Sequence, residues 1–175
     1  MYSAKTEARI AGVCYVLTTV LGVAAYTSGG AIGNFLNLIA ALFYMAVTVF
    51  FYRLFRPVNT TLSALAALFS LIGCGLQILD TFHINPLHIN NIIFFGFYCL
   101  LIAILIACST FLPRMLAAFM ALAGISWLTY LSPSLGRQLS SYTFLSGLIG
   151  EGALTVWLIL KGVDTVRWER QKAKP

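Results

Sequence analysis

A chain of 175 residues that is 60% hydrophobic and only 9% charged lies far from ordinary soluble domains, which run at roughly 45–50% and about 25%. That composition excludes a water-soluble globular protein. The formal charge of +6 does not point to nucleic acid either, because the chain offers no soluble face on which basic residues could gather.

The apolar surplus arrives in blocks close to the roughly 20 residues that span hydrocarbon. Six such blocks follow in chain order, at 8–27, 35–55, 60–79, 90–112, 115–131 and 139–160. Backbone groups inside lipid must pair within their own segment, and no stretch alternates like the strands of a barrel, so each block predicts a helix. The expectation is an all-α polytopic membrane protein, with six transmembrane helices in one bundle forming a single domain over 1–175.

The first block also has features of a signal peptide: Lys5 and Arg9 precede the apolar run, and Val23 and Ala25 sit where a cleavage signal would. The run is long enough to span, so it is read as a first helix that stays attached. Pro57 in RPVNTT and Pro113 in STFLPRM separate the second from the third span and the fourth from the fifth, with Asn59 or Thr60 placed to cap the third. TSGGAIGN, TFHINPLH and SPSLGRQ read as the connections on the opposite side.

Basic residues set the orientation, since short cytoplasmic loops carry the excess of Lys and Arg. With the N-terminus inside, ten of the 11 fall on the cytoplasmic edge and Arg137 alone falls outside. Both termini are therefore expected in the cytoplasm. Arg53, Arg56, Arg114, Arg167 and Arg170 are expected to anchor to lipid headgroups, the last two in a basic tail at 161–175 that also carries Trp168. Trp127 and Trp157 are read as interfacial anchors as well.

Cys14, Cys74, Cys99 and Cys108 all fall within spans, without CxxC spacing, and are read as small apolar packers. Small residues recur every fourth position at Ala66, Ser70 and Cys74, at Ala117 and Ala121, and at Ser146 and Gly150. Such rows let helices approach closely in lipid, within one chain or between copies in a homo-oligomer.

ARIAGVCYVL, FYRLFRPVN, IIFFGFYCLL, PRMLAAFMALAGISWL and GEGALTVWLILKGV, in this order along the chain, resemble a bacterial family, Domain of Unknown Function 4386. The resemblance implies a multi-pass protein of the bacterial cytoplasmic (inner) membrane. It implies no particular activity.

Glu151 stands out because it lies near the middle of the sixth block, where an ionised carboxylate costs a few kcal/mol even on lenient insertion scales. By depth, its partners are expected among Thr18, Thr19, Tyr44, Ser70, Tyr98 and Ser126. A second polar group gathers at the outer mouth: Asn34, Asn37, Gln77, Asp80, His83, His88, Asn90, Asn91 and Arg137. It reads first as polar residues solvated at an interface and alternatively as a vestibule leading down to Glu151. Asp80, His83 and His88 carry metal-compatible donors, but their spacing matches no helical ligand pair such as HExxH, so no metal and no cofactor is expected. There is also no GxSxG elbow.

Three functional readings follow. The leading one is a non-enzymatic membrane protein that binds a lipid-like or small apolar molecule, or a partner membrane protein. The others are a small transporter or ion-coupled carrier, and an intramembrane enzyme using Glu151 with Asp80 or His88.

Overall fold

A computed structural model of the chain describes residues 3–85 and 89–173. His88 lies outside these residues, as do the terminal Lys174 and Pro175. Six apolar helical segments with the length and composition to cross a membrane form among the described residues: α1 Ala4–Ser28, α2 Gly30–Phe55, α3 Thr60–Thr81, α4 Asn91–Cys108, α5 Arg114–Leu128, which reaches spanning length together with the turn that follows it to Leu131, and α6 Pro133–Leu160. A 3₁₀ turn, Thr129–Leu131, extends α5, and a short seventh helix, α7 Thr165–Lys172, follows α6. No strand occurs among the described residues.

Local chemistry sets the boundaries. The Ser3 side chain accepts from Thr6 N–H at 3.2 Å, Asn59 from Leu62 N–H at 2.9 Å, and Asn90 from Ile92 N–H at 3.0 Å, so polar side chains satisfy the first free amides of α1, α3 and α4. TSGGAIGN, expected to be a loop, is almost entirely helical. Gly29 alone separates α1 from α2, at φ 58°, a left-handed conformation that glycine adopts without a steric penalty. As a result α2 begins well before residue 35, and Asn34 and Asn37 sit inside the helix rather than at its mouth. Likewise α6 begins at Pro133, its fixed φ suiting a first helical position. The tail read as a basic extension contains α7, whose cap is the Asp164 side chain accepting from Arg167 N–H at 3.0 Å.

Consecutive helices pack side by side from α1 to α6, and α6 returns to pack against α1, closing a ring. Each helix turns apolar residues outward, including Val20, Leu42, Leu68, Ile104, Ile125 and Val156. In lipid that exposure costs nothing, so burial reports helix–helix packing rather than escape from water. The inward faces bring together Tyr15, Phe51, Leu54, Phe55, Ile102, Ile106, Met120, Leu154 and Leu158. Glycines permit the closest crossings. A Cβ on Gly124 would meet the Gly96 carbonyl oxygen at 2.9 Å, so α4 and α5 touch backbone to backbone.

One end of the ring collects most of the basic residues. There the Trp168 indole N–H donates to the Leu54 carbonyl at 2.9 Å, and the Gln171 side-chain oxygen accepts from Thr110 N–H and Oγ1–H, each at 2.9 Å. These bonds fix α7 across the ends of α2 and α4. Six antiparallel crossings place both chain ends at this basic end. Single cysteines introduced at positions 56 and 114 should therefore label from the same side of the membrane as the C-terminus, and one at position 134 only from the other. Labelling of position 134 together with position 56 would contradict the topology.

Candidate functional site

Glu151 projects from α6 toward the ring's interior. Its Oε2 accepts from the Tyr15 hydroxyl of α1 at 2.8 Å. Its Oε1 accepts from the Trp127 indole N–H of α5 at 2.7 Å and from the Cys99 thiol of α4 at 3.6 Å. The Tyr15 oxygen also lies 3.2 Å from the Tyr44 hydroxyl of α2. Tyr15 and Cys99 are fully buried, and so is Tyr98, whose hydroxyl has no hydrogen-bond partner among the described residues. Tyr98 lies edge-on to Tyr44, with ring centroids 5.9 Å apart. Neither ion pair among the described residues involves Glu151.

These partners differ from those expected by depth. Of the six, Tyr44 joins the cluster through its hydrogen bond to Tyr15 and Tyr98 through its ring contact with Tyr44, and neither bonds Glu151 directly. Trp127 proves to be an interior donor rather than an interfacial anchor, because Gly147 clears its path: any Cβ there would collide with the indole ring. Cys99 is a thiol donor as well as a packer. The signal for Trp127 was present in the sequence as a glycine one helical turn before Glu151, but its meaning depends on α5 lying beside α6.

The outer polar group divides. Asn37 donates to Thr81 Oγ1 at 2.7 Å and accepts from Gln77 Nε2–H at 2.8 Å, which joins α2 to α3. Asp80 accepts from the Asn85 amide at 2.7 Å. Asn34, His83 and Arg137 are exposed. Along α2, Asn37 stands about 10 Å from Tyr44 at the helical rise of 1.5 Å per residue, and the Asn37 and Asp80 hydrogen bonds do not extend to Glu151.

At the basic end a cavity of about 880 Å³ opens between α1, the α2–α3 connection and α7, lined by Glu7, Arg53, Arg56, Asn59, Trp168 and Lys172 among others. Arg53 is partly committed, since it pairs with the buried Glu7 at 2.6 Å. Arg56 has no ion pair among the described residues, and the Lys172 ammonium sits 5.2 Å from the Trp168 ring centroid. Arg167 pairs with Asp164 at 3.3 Å. Arg114 and Arg170 are exposed nearby. A second cavity, of about 560 Å³, is an apolar groove on the outer face of α6 beside Val156 and Leu160. Glu151 lines neither one.

A family described as "Domain of unknown function (DUF4386)" matches residues 27–91 and 87–162. The chain belongs to this family. The region matched to DUF4386 contains Cys99, Trp127 and Glu151, whereas Tyr15 precedes it. No curated protein and no solved structure matches the chain.

In this DUF4386 protein, Glu151→Leu would leave the Trp127 indole N–H unpaired in a lipid-enclosed interior, while the Tyr15 hydroxyl would keep Tyr44 as its partner. An orphaned donor costs about 1–3 kcal/mol, with the lower end favoured because chains unfolded within the membrane also find partners. Glu151→Gln keeps an oxygen for Trp127 and supplies an N–H to Tyr15. Thermal unfolding in detergent should show Leu destabilised by about 1 kcal/mol and Gln close to wild type; equal stability of Leu and wild type would refute a bonded interior carboxyl.

Proposed function

We propose that this protein is a non-enzymatic integral membrane protein that binds the headgroup of an anionic phospholipid at its basic end, and that this end faces the cytoplasm of a bacterial inner membrane. The observation that carries the reading is the basic-end cavity. It is lined by Arg56, free of any carboxylate partner among the described residues, together with Lys172 and Trp168. Guanidinium groups match the geometry of phosphate oxygens, ammonium groups add point charge, and an indole suits the headgroup depth.

The distribution of charge supports the same occupant. Ten basic residues fall at one edge of the spans and one at the other, and cytoplasmic leaflets hold the anionic lipids that attract such segments, by about 1 kcal/mol for each cation near the surface. The cavity also lies at the end of the ring, where a headgroup can enter sideways without disturbing the apolar packing.

The test is lipid retention. Protein extracted from bilayers of mixed phosphatidylglycerol and phosphatidylcholine, then analysed by native mass spectrometry, should carry phosphatidylglycerol preferentially. Arg56→Gln should lower that retention about fivefold, the equivalent of about 1 kcal/mol, while Arg56→Lys should largely preserve it and phosphatidylcholine should not respond. Unchanged retention in Arg56→Gln would remove the headgroup site.

A further inference from the structure

The donors around Glu151 determine which of its oxygens can carry a proton. An indole N–H donates and never accepts, so Trp127, at 2.7 Å, holds Oε1 as an acceptor whether or not the carboxyl is ionised. The Cys99 thiol at 3.6 Å points to the same oxygen. Among the described residues Oε2 bonds only the Tyr15 hydroxyl, at 2.8 Å. A hydroxyl has one proton and two lone pairs, so it can donate to an ionised Oε2 or accept from a protonated one. Its other neighbour, the Tyr44 hydroxyl at 3.2 Å, is equally reversible.

We propose that Oε2 of Glu151 is a reversible proton-binding site served by the Tyr15–Tyr44 hydroxyl pair. In the ionised state Tyr44 donates to Tyr15 and Tyr15 donates to Oε2. A hydronium ion gives a proton to the Tyr44 oxygen, the original Tyr44 proton passes to the Tyr15 oxygen, and the original Tyr15 proton passes to Oε2. Three O–H bonds form and three break. Water leaves, both tyrosines end neutral, and the carboxyl is now a neutral acid. The hydrogen bonds then run the other way, from Oε2–H to Tyr15 and from Tyr15 to Tyr44. Release reverses every step, and neither state loses a hydrogen bond.

The groups facing the site are Tyr15 from α1, Tyr44 from α2, Tyr98 and Cys99 from α4 and the non-titrating Trp127 from α5, with Cys74 of α3 in the same buried core. No Lys, Arg or His pairs with Glu151 among the described residues, so no cation pins the carboxyl in its ionised form. The buried Tyr98 hydroxyl, unpartnered among those residues and edge-on to Tyr44, places one more exchangeable proton beside the pair.

Infrared spectroscopy of the protein in bilayers tests this, titrated from about pH 4 to about pH 10, a range that brackets the carboxyl group's reference value and its observed excursions. The expected result is a carboxylic-acid carbonyl band that trades intensity with a carboxylate band as pH changes, shifts in heavy water, and is lost in Glu151→Gln. Tyr15→Phe removes the one hydrogen-bond partner of Oε2 among the described residues and should move the midpoint by about one pH unit, a tenfold change in proton affinity. Tyr44→Phe leaves the Oε2 bond in place and should slow heavy-water exchange of the band. Circular dichroism confirms that each variant is folded. A spectrum in which no band depends on Glu151, or one whose Glu151 band stays constant across the range, overturns the site; unchanged exchange in Tyr44→Phe overturns the relay.

Discussion

A carboxyl group inside hydrocarbon must find its hydrogen-bond donors in the protein, because lipid supplies none. Glu151 meets that requirement by drawing Tyr15 from α1, Cys99 from α4 and Trp127 from α5 onto one side chain of α6. Four of the six spans are tied at a single level. The bond to Tyr15 has a particular weight, since it crosses the seam between the first helix and the last. The same seam is drawn close by Gly12, where a Cβ would meet an Ile159 side-chain carbon at 2.8 Å. Apolar contact alone does not favour a closed ring over helices dispersed in lipid, so close packing and polar bonds must supply the preference.

The remaining seams are fastened differently. Between α2 and α3 the bonds come in two layers, Asn37 with Gln77 toward one end and Thr48 with Ser70 farther along. Between α1 and α2, Thr18 donates to the Ala40 carbonyl at 3.3 Å and Glu7 pairs with Arg53. Between α4 and α5 the glycine crossing dominates. Between α3 and α4 the contact is aromatic, with Phe69 against Phe94 and Phe97 and Gly73 against the Phe95 ring, whereas every other seam has a polar bond or a backbone approach among the described residues. The basic end adds α7, held by Trp168 and Gln171 to carbonyls and amides that the helix ends leave free.

The spans were legible because their signal is local: a run of apolar residues of the right length needs no knowledge of its neighbours. Asn59 as a cap and Glu151 as an interior polar residue were legible for the same reason. Neighbour relations were not. Depth along a span predicted six partners for Glu151, but which donors reach it depends on the order of helices around the ring and on which face each presents. Trp127 looked interfacial by position, and only the packing of α5 on Gly147 turns it inward. TSGGAIGN looked like a loop by composition, yet the two glycines Gly29 and Gly30, both at positive φ, make the reversal with a single non-helical residue between the helices. The tail looked like a run of solvated charge, while Asp164 as a cap and Trp168 as an anchor make a helix of part of it.

Why the interior group is a glutamate rather than a glutamine is the remaining physical question. For holding helices together the amide would serve as well: its oxygen would accept from Trp127 and its nitrogen would donate to Tyr15, at a lower desolvation cost than an ionisable group. A carboxyl adds a second acceptor oxygen, stronger bonds to its donors when ionised, and the ability to exist in two charge states. The surroundings accommodate both, since the donors at Oε1 are fixed and the hydroxyl pair at Oε2 is reversible. The two oxygens therefore differ in what they face: Oε1 meets an indole N–H that can only donate, and Oε2 meets a hydroxyl that can donate or accept.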